Sequence, residues 1–177
     1  MTAADVVVGP VDEDQWELWR DLRHRVLGTD PDAFGSTLER EQGYTEADWR
    51  HRVGSGRCFV AWLGDRPVGM GGFFEEAPGS CWVVAMWVEP AARGRGIGRL
   101  VLERVLAAVP AHVDVHLWVA DGNPARELYA KAGFVGTGEV APLRPGSSIT
   151  KSRMTLIGSR TRKVLPTPTS ESTRMLP

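Results

Sequence analysis

The chain has 177 residues, 42% of them apolar and seven of them Trp, with a formal net charge of −1. That is enough chain for one domain with a proper core and too little for two. So nearly balanced a charge gives no whole-chain field to draw the protein to nucleic acid or to a membrane surface. Two cysteines, Cys58 and Cys81, lie in separate strand-like runs; they supply no disulfide framework and no zinc-spaced pair, and read as buried thiols of a reducing compartment. The opening MTAADVVVGP lacks a basic flank before a long apolar core, and no apolar run reaches membrane-spanning length. A cytoplasmic protein is expected.

The elements follow in chain order. Val6-Val7-Val8 reads as a short strand closed by Gly9-Pro10, and Trp16, Trp19, Leu22, Val26 and Leu27 carry helical spacing over 12–27. DPDAFGSTLEREQGY reads as a loop with turn residues at both ends. Thr45, with Asp48 three residues on, predicts a capped helix start. CFVAWLGDRPVGMGGFF predicts two strands joined as a hairpin at Gly64-Asp65-Arg66-Pro67. CWVVAMWV, 81–88, is nearly continuous in apolar residues, the mark of a strand buried on both faces.

A helix is expected over 96–109, then a strand over 112–120 with Val113, Val115, Leu117 and Val119 inward and His112, Asp114 and His116 outward. PARELYAKAG is a short helix ended by Gly133, and FVGTG and SRMTLI close the fold as strands. The order is β-α-α-β-β-β-α-β-α-β-β, an α/β arrangement with one crossover unit at 81–120 and a mixed sheet. Charge divides unevenly, −4 over residues 1–157 and +3 over 158–177, where Arg160, Arg162, Lys163 and Arg174 outnumber Glu171. The Ser/Thr/Pro-rich 158–177 cannot repay the entropy of ordering. It is expected to be a flexible tail on a single 1–157 domain.

The chemistry concentrates in VEPAARGRGIGRLVLERVL, 88–106. A helix N-terminus exposes main-chain N–H groups and the positive end of the macrodipole, and glycines let phosphates approach that backbone. Gly94, Gly96 and Gly98 supply the closeness; Arg93, Arg95 and Arg99 add charge. The bland alternative is a glycine-rich turn that binds nothing. A dinucleotide fold would want a third glycine where Arg99 stands, although Asp121 falls roughly where a ribose-binding acid would be. A methyltransferase G-x-G-x-G matches literally without needing the arginines, and a P-loop lacks its Gly-Lys-Ser/Thr.

RGRGIG resembles the acetyl-CoA signature Q/R-x-x-G-x-G/A of the GNAT superfamily of N-acetyltransferases, read as Arg93-x-x-Gly96-x-Gly98. MWVEPAARGRGIG is similar to that family's fourth strand and the turn after it. NPARELYAKAGF resembles its later helix, on Ala125, Leu128, Tyr129, Gly133 and Phe134. The likeness covers residues 6–157. It implies a GNAT fold whose fourth and fifth strands splay into an acetyl-CoA cleft. It further implies pyrophosphate held by main chain over Arg93, Gly94, Arg95, Gly96, Ile97, Gly98 and Arg99, with Met86, Trp87 and Val88 against pantetheine and acetyl, and Tyr129 protonating the departing thiolate. The family's asparagine usually stands seven residues before that tyrosine, where this chain has Gly122; Asn123 is one residue late, and with Ala125 is carried over as a cofactor contact.

Acyl transfer to an amine needs a neutral amine, a polarised carbonyl and a proton for sulfur. Without its motif Tyr129 would read as a core tyrosine. Glu89 and Glu139 are candidate bases, each also readable as a solvated carboxylate. Neither cysteine has a His partner nearby in sequence and no Gly-x-Ser-x-Gly elbow occurs, which favours direct transfer. His112 and His116 would stand roughly 13 Å apart along a strand, too far for one metal ion, and read as surface histidines; no metal is expected. Trp16, Trp19, Trp49, Trp62 and Trp118 read as packing residues. DAFGSTLE resembles a family segment lining the acceptor pocket, so Phe34 is the expected acceptor contact, with a plain loop anchor as the equal alternative; Trp82, flanking the expected acetyl site, and Glu89, at the end of the central strand, are the other expected substrate contacts. The expected activity is transfer of acetyl from acetyl-CoA to a primary amine of a small molecule, a metabolite or antibiotic, with no nucleic-acid or membrane partner and a homodimer left open. The alternatives are a protein N-terminus or lysine as acceptor, and a CoA-binding module without turnover.

Overall fold

The computed structural model describes residues 5–54 and 57–157; the segment 158–177 expected as a tail lies outside the described residues. Strands β1 (Val6–Pro10), β2 (Cys58–Leu63), β3 (Arg66–Ala77), β4 (Ser80–Val88), β5 (Asp114–Ala120), β6 (Val135–Pro142) and β7 (Thr150–Leu156) form one sheet in the order β1-β2-β3-β4-β5-β7-β6. Every neighbouring pair is antiparallel except β4 and β5. That parallel pair is joined by α4 (Ile97–Ala108), the crossover expected from the sequence.

The remaining helices are α1 (Trp16–Thr29), α2 (Leu38–Gln42), α3 (Glu46–Val53) and α5 (Ala125–Lys131). The capped start of α3 is as predicted: Thr45 Oγ1 accepts from the Asp48 amide and the Asp48 carboxylate accepts from the Thr45 amide. Helix α2 is a correction, since it lies inside the stretch read as loop; Thr37 Oγ1 caps it by accepting the Arg40 amide. The β2–β3 turn is also tighter than expected, because Arg66 and Pro67 already belong to β3.

Two apolar layers cover the sheet. On one face α4 and α5 pack Ile97, Val101, Val105 and Tyr129 against Cys81, Val83, Val115 and Leu117. On the other, α1 and α3 pack Trp19, Leu22, Val26 and Trp49 against Val60, Met70 and Trp87. Cys81 and Trp87 thus face opposite layers although they stand six positions apart, an even step that strict alternation would leave on one face. The break is a bulge. The β3–β4 register slips between Met70 and Gly72, and Ala85 in the slipped stretch takes φ 56°. Gly71 lies opposite, where a Cβ would stand 2.5 Å from Met86 Sδ and 2.7 Å from Val101 Cγ1. Only a glycine lets β3 accept both.

Two further expectations need correction. Strand β4 is not buried on both faces, for Val84 is 40% exposed. His116 is buried, not outward, with Nδ1 2.9 Å from Thr155 Oγ1 and Trp82 against its ring. Burial, and after it the neighbouring Arg153, pushes its pKa down. His112, by contrast, is exposed, in the turn before β5.

Candidate active site

Strands β4 and β5 pair only at Ser80–Trp82 with Asp114–His116; beyond that they part. The gap opens on the side of β4 that carries the bulge. A cavity of about 800 Å³ fills it, lined by Met86, Trp87 and Val88 from β4, by Ala120 through Ala125 after β5, and by the turn into α4. Its lining also includes Asp30–Phe34, Leu128 and Tyr129.

The turn into α4 takes its shape from glycine. Gly94 and Gly96 have φ 75° and 79°, in the left-handed region that side chains with a Cβ avoid. Gly96 caps the helix, and the Leu100 amide is the first to bond back into it. The amides of Ile97, Gly98 and Arg99 therefore have no acceptor within the helix, and no acidic residue occupies the first turn. Gly98 serves packing: its Cβ would press on Leu128 at 3.3 Å. These features fit a diphosphate.

The arginines divide. Arg93 is spent on the protein, with Nε donating to the Val88 carbonyl at 2.9 Å and Nη2 to Asp30 Oδ2 at 2.6 Å. The same Asp30 oxygen accepts from Trp87 Nε1 at 2.7 Å, so one carboxylate fastens the loop after α1 to the glycine turn and to β4. Arg99 lines the cavity and pairs with Glu103 along the helix at 3.4 Å. Arg95 is exposed and outside the lining.

Tyr129 is 6% exposed and edge-on to Phe134, with centroids 6.0 Å apart. Burial pushes its phenol pKa above the ordinary value, which keeps the hydroxyl protonated. Asn123 Oδ1 accepts the Ala125 amide at 2.9 Å, so the late asparagine starts α5 as well as lining the cavity. Asp121, the would-be ribose acid, accepts hydroxyls from Ser152 at 2.6 Å and from Thr150. Those bonds, Ser152 first, hold its pKa below the usual carboxylate range. A mixed sheet with that acid already bonded to β7 removes the dinucleotide reading.

The two carboxylates expected as bases stand apart from the cavity. Glu89 is ion-paired to Arg66 at 2.7 Å, and Glu139 to Arg153 at 3.0 Å; neither lines it. Phe34 does, and it also lines a second cavity of about 310 Å³ that adjoins the first through Ala33, Phe34 and Ala120. Trp82 lines that second cavity, as does Trp118, which packs against the Trp82 ring. Arg23 and Lys151 there escaped sequence reasoning altogether. Their relation to Phe34 and Ala120 depends on contacts 11 and 31 residues away, with no local motif to mark them. Cys58 is inert, its thiol pushed up to about 12 by burial.

A family model described as acetyltransferase (GNAT) family matches residues 16–134, and the chain belongs to that family. It is an acetyltransferase, and transfer from acetyl-CoA is the activity the family supports. No curated protein matches by sequence. The yncA protein of Salmonella typhimurium, solved with acetyl-CoA as its cofactor, is similar in fold with TM-score 0.67, 18% identity, and coverage of 88% of this chain and 95% of that one. A GNAT acetyltransferase of Streptococcus pneumoniae has TM-score 0.69 and 18% identity over 86% and 99%. The ribosomal-protein-alanine N-acetyltransferase of Brucella melitensis has TM-score 0.64 and 19% identity over 85% and 99%. At such identities the likeness is one of fold.

Proposed function

We propose that the protein acetylates the primary amine of a small molecule, with residues 1–157 as the whole catalytic unit. The observation that carries this is the pair of adjoining cavities. One leads from the glycine turn to Tyr129, and the other, about 310 Å³, starts at Phe34 and Ala120 and has the volume of a small ligand. When bound, acetyl-CoA supplies an activated acyl group. The amides of Ile97, Gly98 and Arg99 hold its diphosphate, with Gly94 and Gly96 giving the backbone its approach. The parted main chain of β4 at Met86 and Val88 orients the acyl arm, and Asn123 and Ala125 flank it. Tyr129 gives its phenolic proton to sulfur as the C–S bond breaks and the N–C bond forms. Glu89 and Glu139, each held by an arginine outside the cavity lining, take no part in this scheme; the amine proton passes to water.

Thermal unfolding tests the cofactor half. Acetyl-CoA at about a hundred times its dissociation constant should stabilise the protein by about 2.7 kcal/mol, and NAD should not. Gly96→Val, which puts a β-branched residue at φ 79°, should abolish that shift. Thiol release across a panel of small amines, beside peptides offering a free N-terminus or a lysine, tests the acceptor half. Turnover confined to the peptides would refute the small-molecule acceptor, and CoA binding without any thiol release would point to a module without turnover.

A further inference from the structure

The walls of the smaller cavity divide by chemistry. Trp82 and Trp118 form an aromatic face, their rings 6.1 Å apart and 18° from parallel. Two cations stand toward the larger cavity. Lys151 is the register partner of Ala120, which lines both cavities. Its Nζ lies 5.0 Å from the Trp118 ring centre, and among the described residues it has no ion-pair partner. Arg23 sits over the Phe34 ring at 4.8 Å with its side chain nine-tenths buried. Its Nε and Nη2 are taken by Glu41, while Nη1 is buried without a hydrogen-bond partner. The carboxylate in the lining, Glu76, lies at the other end, beside the start of β4, and accepts from Trp82 Nε1 at 2.8 Å.

We propose that this cavity takes an α-amino acid with a large apolar or aromatic side chain as the acetyl acceptor, which rests on the small-molecule reading above. In an α-amino acid the amine and the carboxylate share one carbon. An amine presented at Phe34 and Ala120 therefore brings its carboxylate to the cation paired with Ala120 in the sheet. Lys151 Nζ receives that carboxylate, and Arg23 Nη1 is the second donor behind Phe34. The side chain then lies along Trp118 and Trp82, where an apolar or aromatic group gains contact that a polar one does not. A simple cationic amine would instead meet Lys151 with like charge. The amine nitrogen forms its bond to the acetyl carbon as the C–S bond breaks, the amine loses a proton to water, and sulfur gains one from Tyr129.

The test is thiol release by the full chain with acetyl-CoA, comparing tryptophan, phenylalanine and methionine with tryptamine, phenethylamine and the corresponding amino-acid amides. The amino acids should exceed their decarboxylated partners in kcat/KM by about 10- to 100-fold, mostly through KM. In Lys151→Met that ratio should fall toward one, and in Lys151→Arg it should persist, with melting curves showing both variants folded. Decarboxylated amines or amides that match the amino acids in the wild type would overturn the amino-acid assignment and leave the small-molecule reading standing. Peptide-only turnover would overturn both.

Discussion

Tyr129 carries its hydroxyl on a side chain that the fold has otherwise treated as core: buried, edge-on to Phe134, and lining the larger cavity. Desolvation penalises the phenolate, so the group stays a proton donor to higher pH than an ordinary tyrosine, whose pKa is about 10. Tyr129→Phe keeps the ring contacts and removes the donor. Turnover is expected to fall by about 10²–10⁴ while acetyl-CoA affinity changes little, as read by thiol release and calorimetry. The wild-type rate should show no alkaline limb from this group below about pH 10. Simultaneous loss of cofactor binding and thermal stability would mean that the hydroxyl is structural. The residue was legible only through its motif, since nothing in the spacing of one buried tyrosine separates a donor from a packing residue.

Strand β4 sets the site through its irregularity. The bulge at Ala85 turns Trp87 toward α1, where its indole reaches Asp30, and leaves Met86 and Val88 facing α4. Ala85→Gly should be tolerated, because glycine adopts φ 56° freely, whereas Ala85→Val should cost about 1–3 kcal/mol by placing a β-branched residue there. Denaturant melts of the two variants check this, and equal stability would show that the bulge has no need of its left-handed residue. The run CWVVAMWV could not reveal the bulge: with apolar residues at every position, no polar marker records which face each one takes. The α4 turn was legible because glycine spacing and helix onset are local. Helix α2 was missed although Thr37 signals its cap, because its five residues carry no apolar period. The alternation over 112–120 holds, with His116 on the face opposite Val115 and Leu117, but that face is covered as well, by Trp82 and Thr155, and no local signal in the sequence marks the cover.

Across the whole molecule, the wall of the smaller cavity is braced by a buried ion pair. Glu41, 1% exposed, binds Arg23 at 3.0 Å and lies 3.6 Å from Arg52, so α2 is tied to both α1 and α3. Burial raises the Glu41 pKa, but the hydrogen bond and charge of Arg23, helped by Arg52, more than offset it and hold it below its usual value. A carboxyl with a lower pKa folded than unfolded contributes fully above about pH 4.3 and loses that contribution as the pH falls through its folded value. Glu41→Gln should cost about 3–5 kcal/mol near neutrality, by stranding Arg23. Its deficit against the wild type should shrink in acid, as denaturant melts at several pH values would show. The parting of β4 from β5 has a consequence of another kind. Beyond Trp82 and His116 each strand keeps its outer neighbour, β3 or β7, but the N–H and C=O groups turned toward one another have no ladder. The sheet thus holds an edge in its interior, and an extended chain of amides laid there, as the pantetheine arm is proposed to be, would in effect be an eighth strand. Main chain recognising main chain leaves the side chains of both strands free to vary, provided that the two separate at the same place.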